Sequence, residues 1–209
     1  MVFALHAAWA LALAGLRFVD PPTTGVQLQR RIASIFGRAK YEKRQTFIPL
    51  SRIAPDLQHA VVAAEDGRFY EHGGIDWKQV RKVAEDSLET GEVARGASTI
   101  TQQLVKNLFF TTHRNPFRKV AEYTLAPLAD VILGKQRTLE LYLNVAEWGP
   151  GVFGAEAAAE YHYGTNASRV SRDQAARLAA ILPSPVRRKP GSMTSFGANV
   201  QNRMRQMGW

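Results

Sequence analysis

Apolar residues recur at helical spacing along most of this chain. In the segment that begins at Pro55, the residues Leu57, Ala60, Val61 and Ala64 fall on one stripe at spacings of three and four. This spacing is typical of an amphipathic helix. Strict alternation of apolar and polar residues is scarce, and the chain contains no internal repeat and no second block of different composition. The pattern therefore predicts one mainly α domain.

The same periodicity, together with turn residues, predicts where the helices begin and end. Helices are expected at Val26–Lys43, from Pro55 to the Glu65–Asp66 pair, and at Trp77–Leu88, Thr99–Phe109, Pro116–Leu133, Thr138–Val145, Gly154–His162 and Ser171–Ile181. A turn or short strand is expected around "RQTFIPLSRI", and a loop at "ETGEVARGAS". The polar, proline-rich "PSPVRRKPGSM" is expected to run over the surface.

The N-terminal segment "MVFALHAAWALALAGL" contains no Asp, Glu, Lys or Arg. A helix that spans a bilayer needs roughly 17 to 25 mostly apolar residues, and this run is slightly shorter. We interpret residues 1–19 as an uncleaved signal-anchor, that is, an N-terminal transmembrane helix. A cleaved signal peptide and a buried helix are the alternatives. No positive flank fixes the orientation.

Composition narrows the kind of partner. The 209 residues are 45% hydrophobic, and the formal net charge is +9. This balance favours an anionic partner, which could be nucleic acid, anionic lipid or a phosphate-bearing substrate. Cysteine is absent, which excludes disulfides and cysteine-ligated metals. The histidines are dispersed, so the sequence predicts no metal site.

An unusual polar face lies within "RGASTITQQLVKNLFF". Thr99 and Gln102 have the spacing of a capping box, in which each side chain satisfies a free N–H group at the helix start. At about 100° per residue, Gln103 and Lys106 share a helical face with them. The N-terminus of a helix attracts anions, and Gly96 would allow a ligand to approach the backbone. The face is either a solvated surface with a good cap or an anion-binding wall.

Two acids, Glu65 and Asp66, end the apolar helix that starts at Pro55. A carboxylate at that end faces the negative end of the helix dipole, which raises its pKa. A general base benefits from a raised pKa. The alternative is a helix end that pairs with Arg68 or His72.

A further acid, Glu122, lies close to several cations. Arg118 and Lys119 precede it by four and three residues, which places all three on one helical face. A local salt bridge is the simple interpretation. The alternative is that both glutamates converge on one cleft with Lys106, Arg114, Arg118 and Lys119.

The proposed cleft suggests a type of reaction. Glycoside hydrolysis uses two carboxyl groups, one of which protonates the leaving sugar. A diphosphate leaving group departs as an anion and needs positive charge instead of a proton. An attacking sugar hydroxyl still needs a base. Carboxylates beside a cationic cluster therefore favour glycosyl transfer from a diphosphate-linked sugar.

The segments "EDGRFYEHGGID", "RGASTITQQLVKN", "RKVAE", "TLELYLNVAEWGPGVFG" and "AARLAAILPSP" follow the order of the five motifs of family 51 glycosyltransferases. Over roughly Pro21 to Pro190 the chain resembles this family, which includes the transglycosylase domain of class A penicillin-binding proteins. The transpeptidase motif Ser-x-x-Lys of the bifunctional members does not occur. The resemblance implies a lysozyme-like helical domain of two lobes with a cleft, here residues 20–209.

The resemblance also implies roles for individual residues. Glu65 matches the base that deprotonates the 4-hydroxyl of the acceptor sugar, and Glu122 matches a second glutamate near the donor diphosphate. The implied substrate-binding positions are Lys106, Arg114, Arg118 and Lys119 around the diphosphate, Ser98, Thr99, Gln102 and Gln103 on the polar wall, Asp66, Phe69 and His72 in support of Glu65, and Asn144 in the later motif.

The implied substrate is lipid II, the disaccharide-pentapeptide on undecaprenyl diphosphate. The growing glycan would be the donor, and its lipid diphosphate would leave with inversion to give a β-1,4 linkage. Mg²⁺ or another divalent cation bridging the diphosphate is compatible with this reaction. The resemblance implies a single-pass protein of the bacterial inner membrane with a periplasmic catalytic domain and with division or elongation proteins as candidate partners.

Competing interpretations belong to other classes. A lytic transglycosylase or lysozyme-like hydrolase would share the fold and a catalytic glutamate, but would not need the cations. A catalytically silent scaffold of the cell-wall machinery is a second alternative. A nucleic-acid binder would use the positive charge, but no recognition motif is present.

Overall fold

The protein is described by a computed structural model that covers residues 2–37, 42–91, 96, 98–113 and 115–209. Its helices are α1 Val2–Leu16, α2 Gly25–Ile35, α3 Pro55–Glu65, α4 Trp77–Thr90, α5 Ile100–Phe109, α6 Pro116–Val145, α7 Ala155–Tyr163, α8 Arg172–Ile181 and α9 Thr194–Gln206. Its strands are β1 Arg44–Gln45, β2 Glu147–Gly149 and β3 Val152–Phe153. The expectation of a mainly helical chain is confirmed.

Helix α2 is shorter than the sequence pattern predicted. It ends at Ile35, and Gly37 follows with φ +69°, a conformation that commonly terminates helices. Lys43 directly precedes β1, so the prediction that the helix continued to Lys43 was wrong. Residues 38–41 of the predicted helix lie outside the described residues.

Helix α6 joins two segments that were predicted as separate helices. The break between them is a single residue, Gly134, whose φ of 70° and ψ of 168° are non-helical. At the start of the helix, the Asn115 side chain accepts a hydrogen bond of 2.8 Å from the N–H of Phe117. The predicted helix Pro116–Leu133 is therefore the part of α6 before the break, and the predicted helix Thr138–Val145 belongs to the part after it.

Helix α9 was not predicted. It follows the proline-rich tail and packs against α3 and α8. Val200 and Met204 are buried, while Phe196 is exposed. These residues recur every four positions, so a weak helical stripe was present among polar neighbours. This helix brings the C-terminal region beside the end of α3.

A small sheet connects the segment after α2 with the segment between α6 and α7. The strand order is β1–β3–β2, with β1 parallel and β2 antiparallel to β3. Arg44 is in register with Val152, and Gln45 with Phe153. Glu147 in β2 also forms an ion pair of 2.7 Å with Arg30 of α2.

The helices pack around one core. Helix α5 lies along α6, and α3 packs on α8. Trp148, Tyr142 and Phe69 are among the largest fully buried side chains. This packing brings the C-terminal end of α3, the N-terminal half of α5 and the first turns of α6 to a common region.

Helix α1 packs on α6. Leu13 is fully buried, and the ring of Trp9 lies 5.7 Å from that of Phe110. No helix in the described residues combines the length and apolar character needed to cross a membrane.

Candidate active site

Two cavities meet at the C-terminal end of α3. One has a volume of about 760 Å³ and the other about 580 Å³. Ala64, Glu65, Gly96 and Ser98 line both of them. Glu65 therefore lies at the junction between two spaces of substrate size.

The larger space, which we call the cationic cavity, collects most of the charged residues predicted for the cleft. Glu65, Gln103, Lys106, Arg118, Lys119 and Glu122 all line it. The structure thus brings both glutamates together with three of the four predicted cations. The fourth, Arg114, lies outside the described residues.

The smaller space, which we call the second cavity, has a different lining. It is bordered by Asp66, Arg68, Asp76, Gln79 and Thr99, and by Arg203, Gln206 and Met207 from the region of α9. Arg68 forms ion pairs with Glu71 and Asp76, at 3.0 and 3.4 Å. Arg203 is in no ion pair with a described carboxylate, and its guanidinium lies 3.5 Å from the carbonyl oxygens of Ala63 and Ala64.

Glu65 is partly buried, and burial raises its pKa above the ordinary value of 4.5. A hydrogen bond of 2.7 Å from the amide Nε2 of Gln103 to its Oε2 works in the opposite direction. The charges of Lys106 and Arg188 also lower the pKa. The sequence predicted the direction of this shift from the helix dipole, whereas desolvation is its largest cause in the structure.

Lys106 differs from the other two cations of the cationic cavity, because Arg118 and Lys119 are paired with Glu122. Burial lowers its pKa below 10.5, and the charges of Glu122 and Glu65 partly restore it. It forms no ion pair within 4.0 Å with any carboxylate in the described parts of the chain. Its charge is therefore balanced at longer range and is available to an anionic ligand.

Glu122 is buried and is held by two cationic residues on α6. Its oxygens lie 3.0 Å from Nε of Arg118 and 3.1 Å from Nζ of Lys119. Lys119 also donates a hydrogen bond of 2.9 Å to Oγ of Ser98, which crosses from α6 to the start of α5. The predicted local salt bridge and the predicted convergence on a cleft are thus both present in the geometry.

Asp66 connects the end of α3 to the start of α5. Its carboxylate accepts a hydrogen bond of 2.9 Å from the N–H of Ile100 and contacts His72 Nε2 at 2.9 Å. Phe69 is fully buried, and neither Phe69 nor His72 lines either of these two cavities. Asp66, which directly follows Glu65, thus ties His72 to the start of α5. The supporting role expected for Asp66, Phe69 and His72 stays a prediction.

The predicted capping box at the start of α5 is confirmed. The Thr99 hydroxyl accepts from the N–H of Gln102 at 3.1 Å, and Gln102 Oε1 accepts from the N–H of Thr99 at 3.0 Å. Thr99 also donates to the carbonyl of Gly74 at 2.6 Å. Gln102 is fully buried and lines neither cavity, so its expected position on the polar wall is corrected. The Gln102 side chain bends back to the N–H of Thr99 and therefore points into the protein.

Asn144 lies in the core and not in either cavity. Its side chain accepts from the N–H of Ile48 at 2.9 Å and donates to the carbonyls of Ile48 and Glu140 at 2.9 and 2.8 Å. It is fully buried. The structure therefore uses Asn144 to tie the segment before α3 to the end of α6.

Sequence reasoning missed several residues of the site. Arg188 lies in the tail that was expected to run over the surface, yet its charge acts on Glu65. Its guanidinium donates a hydrogen bond of 2.9 Å to the carbonyl of Ala180 at the end of α8. Arg203 and Gln206 arrive on the unpredicted α9. Nothing in the local sequence relates these positions to Glu65.

In the described parts of the chain, no group of three or more His, Asp or Glu side chains could hold a metal ion. The charge in the cationic cavity comes from lysine and arginine.

The chain is similar to known proteins of one family. The family described as "Transglycosylase" matches residues 30–207. A protein of Nitrosospira multiformis is 46% identical over 165 residues, which cover 78% of this chain and 72% of that protein. A protein of Pseudomonas entomophila is 41% identical over 197 residues, 92% of this chain and 83% of its own length. A protein of Bordetella pertussis is 42% identical over 212 residues, 97% and 88% respectively.

Each of these relatives is named a biosynthetic peptidoglycan transglycosylase. The chain belongs to the transglycosylase family, and the resemblance predicted from its motifs is confirmed.

Proposed function

We propose that this chain polymerises lipid II into β-1,4-linked glycan strands, with Glu65 as the base and the cationic cavity as the donor diphosphate site. Its family makes it a peptidoglycan glycosyltransferase. The observation that carries the finer proposal is the position of Glu65 at the junction of both cavities. A base that serves a transfer between two sugars has to reach both.

The donor side is supported by the charge of the cationic cavity. Lys106, Arg118 and Lys119 line it, and Glu122 neutralises part of that charge through its two ion pairs. A diphosphate bound there would be stabilised as it develops charge in the transition state. Lys106, which lacks a close carboxylate partner in the described chain, is the residue we assign to that charge.

The acceptor side is supported by the second cavity. An acceptor sugar bound there would present its 4-hydroxyl to Glu65. As the new bond from O4 to the donor C1 forms, the bond from C1 to the phosphate oxygen breaks. The proton passes to Glu65, and lipid diphosphate leaves as the anion. Attack from the face opposite the leaving group inverts C1.

The domain division is part of the same proposal. Residues 20–209 form the catalytic domain, and residues 1–19 hold it at the periplasmic face of the bacterial inner membrane. Peptidoglycan synthesis takes place at the cell envelope, and the apolar α1 supports attachment there. Fractionation of cells that express the chain with and without residues 2–16 tests the attachment.

A lysozyme-like hydrolase is the alternative to be excluded. It would use Glu65 as an acid on finished glycan and would gain nothing from Lys106. Incubation of the purified protein with labelled lipid II, and separately with finished glycan strands, distinguishes the two. Consumption of glycan without consumption of lipid II would contradict the proposed transfer.

The base is tested by Glu65→Gln, which removes the charge and keeps the shape. We expect loss of polymerisation by at least 10²-fold, the low end of the range for general base catalysis. The matched control is Glu160→Gln, because Glu160 is exposed on α7 and lines neither cavity. A Glu65→Gln protein that stays folded and polymerises lipid II at the control rate would refute the assignment.

A further inference from the structure

A hydrogen-bonded chain runs from the protein core to Glu65. The hydroxyl of Tyr142 donates to Oε1 of Gln103 at 2.9 Å, and Nε2 of the same amide donates to Oε2 of Glu65 at 2.7 Å. Tyr142 is buried on the second half of α6 and lines neither cavity. A residue that no substrate reaches is therefore connected by two bonds to the carboxylate at the cavity junction.

The chain has a direction because a neutral phenol has one proton to donate. Burial raises the pKa of Tyr142 well above 10, and the charges of Glu65 and Asp66 act in the same sense, so the phenol stays neutral. The hydroxyl fixes the oxygen of the Gln103 amide toward Tyr142. The NH₂ group of the amide is then fixed toward Glu65, where it stabilises the carboxylate form.

The two oxygens of Glu65 become unequal as a result. Oε2 is occupied by the Gln103 amide. Oε1 receives no hydrogen bond from any residue in the described parts of the chain. Oε1 is thus the oxygen left to accept a proton, and the amide sets the plane in which it lies.

We propose that Tyr142 is a positioning residue, which acts through Gln103 to hold the Glu65 carboxylate with Oε1 directed at the acceptor hydroxyl. This inference rests on the proposed function, because the hydroxyl is that of the acceptor sugar. It assigns to the tyrosine of "LELYLN" a task in the reaction in addition to its place in the core.

The other charged groups around Glu65 would stay in place if the hydrogen bonds from Tyr142 through Gln103 to Glu65 were lost. Asp66, Lys106 and Arg188 act on the pKa of Glu65, and Arg203 lies at the carbonyls of Ala63 and Ala64. None of them touches Tyr142 through a hydrogen bond in the described structure. A change in the pH profile on removal of the phenol hydroxyl therefore results from the loss of these hydrogen bonds.

The test is Tyr142→Phe, which removes one oxygen and keeps the ring. We expect kcat for lipid II polymerisation to fall roughly 10-fold, with KM changed by less than about twofold. The acid limb of the pH profile should move to higher pH, because the bond that favours the carboxylate is weakened. The matched control is Tyr163→Phe, since the buried Tyr163 hydroxyl has no hydrogen-bond partner among the described residues.

A double-mutant cycle decides whether Tyr142 acts through Gln103. In the Gln103→Ala background, Tyr142→Phe should cause no further loss of kcat, because the link is already absent. Equal losses in both backgrounds, or a Tyr142→Phe enzyme with the control's kcat and pH profile, would overturn the proposal. A melting curve for each variant separates these outcomes from unfolding. If the wild-type protein itself fails to use lipid II, the proposed function fails and the role of Tyr142 in it fails as well. An active wild-type protein with an unaffected Tyr142→Phe variant overturns this inference alone.

Discussion

At the scale of single residues, the site depends on a carboxylate whose surroundings oppose its ionisation. Burial raises the pKa of Glu65, while Gln103, Lys106 and Arg188 lower it. A base with a raised pKa binds a proton more strongly and is still regenerated near neutral pH. The same burial that helps catalysis makes the charged form costly to the fold.

The pH dependence of activity follows from this balance. We expect kcat/KM to fall on the acid side as Glu65 takes up a proton, with a midpoint above 4.5, the ordinary value for glutamate. Steady-state rates from pH 4 to 9 with lipid II measure the limb. An acid limb at or below the ordinary value would contradict a base that is desolvated.

Stability should respond in the opposite sense. Because the folded-state pKa of Glu65 lies above its unfolded value, stability is lost as the pH rises from the unfolded pKa through the folded pKa. Glu65→Gln should therefore raise the unfolding free energy at pH 7, and the gain should vanish below pH 4.5. Denaturant unfolding at both pH values checks this. Glu160→Gln, on an exposed carboxylate, should show no such gain.

Residues related by local spacing were predictable. Arg118, Lys119 and Glu122 share a helical face, and the structure confirms their pairing. Gln102 was placed on the wrong side, because the geometry of a cap overrides the helical wheel in the first turn. Arg188 was missed, since its proximity to Glu65 arises only when α8 has packed on α3.

At the scale of elements, the start of α5 connects the cap to the cavity. The Thr99 hydroxyl accepts a hydrogen bond from the N–H of Gln102 and donates one to the carbonyl of Gly74. The Asp66 carboxylate accepts a hydrogen bond from the N–H of Ile100. Since Thr99 also lines the second cavity, the stability of the helix and the shape of the site share one residue.

Removal of this cap should affect both properties. We expect Thr99→Ala to destabilise the protein by about 1–2 kcal/mol and to lower the rate of polymerisation. The control is Ser171→Ala, because Ser171 and Gln174 form a capping box on α8 that lines neither cavity. Ser171→Ala should lose stability but keep its rate. If both variants lose activity in proportion to stability, the cap has no separate influence on the site.

The break in α6 at Gly134 separates two residues to which we assign roles in the reaction. Glu122 lies before Gly134 and Tyr142 after it, so the backbone at this one residue sets the angle between them. The sequence predicted two helices here but not their junction. A glycine at positive φ is recognisable only when a structure gives the dihedral angles.

Gly134→Ala should disturb this junction through the backbone alone. At φ 70° and ψ 168° an alanine is strained by about 1–3 kcal/mol, although its Cβ would meet no atom within 4 Å. We expect that loss in chemical unfolding, with reduced activity. Gly15→Ala is the control, because Gly15 is helical and its Cβ also meets nothing. A Gly134→Ala protein as stable as the Gly15→Ala protein would refute the argument.

At the scale of the whole molecule, the proposed function makes positive charge the means by which the protein binds its anionic substrate. The net charge of +9 was visible in the sequence, and the structure concentrates part of it in the cationic cavity. Fold class and family were predictable from periodicity and motifs. The second cavity was not, because Arg203, Gln206 and Met207 of its lining come from the region of α9, whose polar sequence gave only a weak helical stripe.

Binding should weaken as salt increases. Raising the ionic strength from 0.1 to 1 M shortens the screening length from about 10 Å to about 3 Å, so we expect KM for lipid II to rise severalfold. Lys106→Gln should reduce the slope of KM against salt, whereas Lys78→Gln, at an exposed position on α4, should not. Identical slopes for both variants would show that Lys106 does not meet the anion.

The shared border of the two cavities has a consequence for repeated turnover. Under the proposed function, the lengthened strand would still occupy, after each addition, the side from which the attacking sugar came. It would have to move across by one unit, and a new monomer would have to enter behind it, before the carboxylate could act again. With a single proton acceptor between the two cavities, synthesis would proceed one unit at a time. Each step would depend on release of the previous lipid diphosphate.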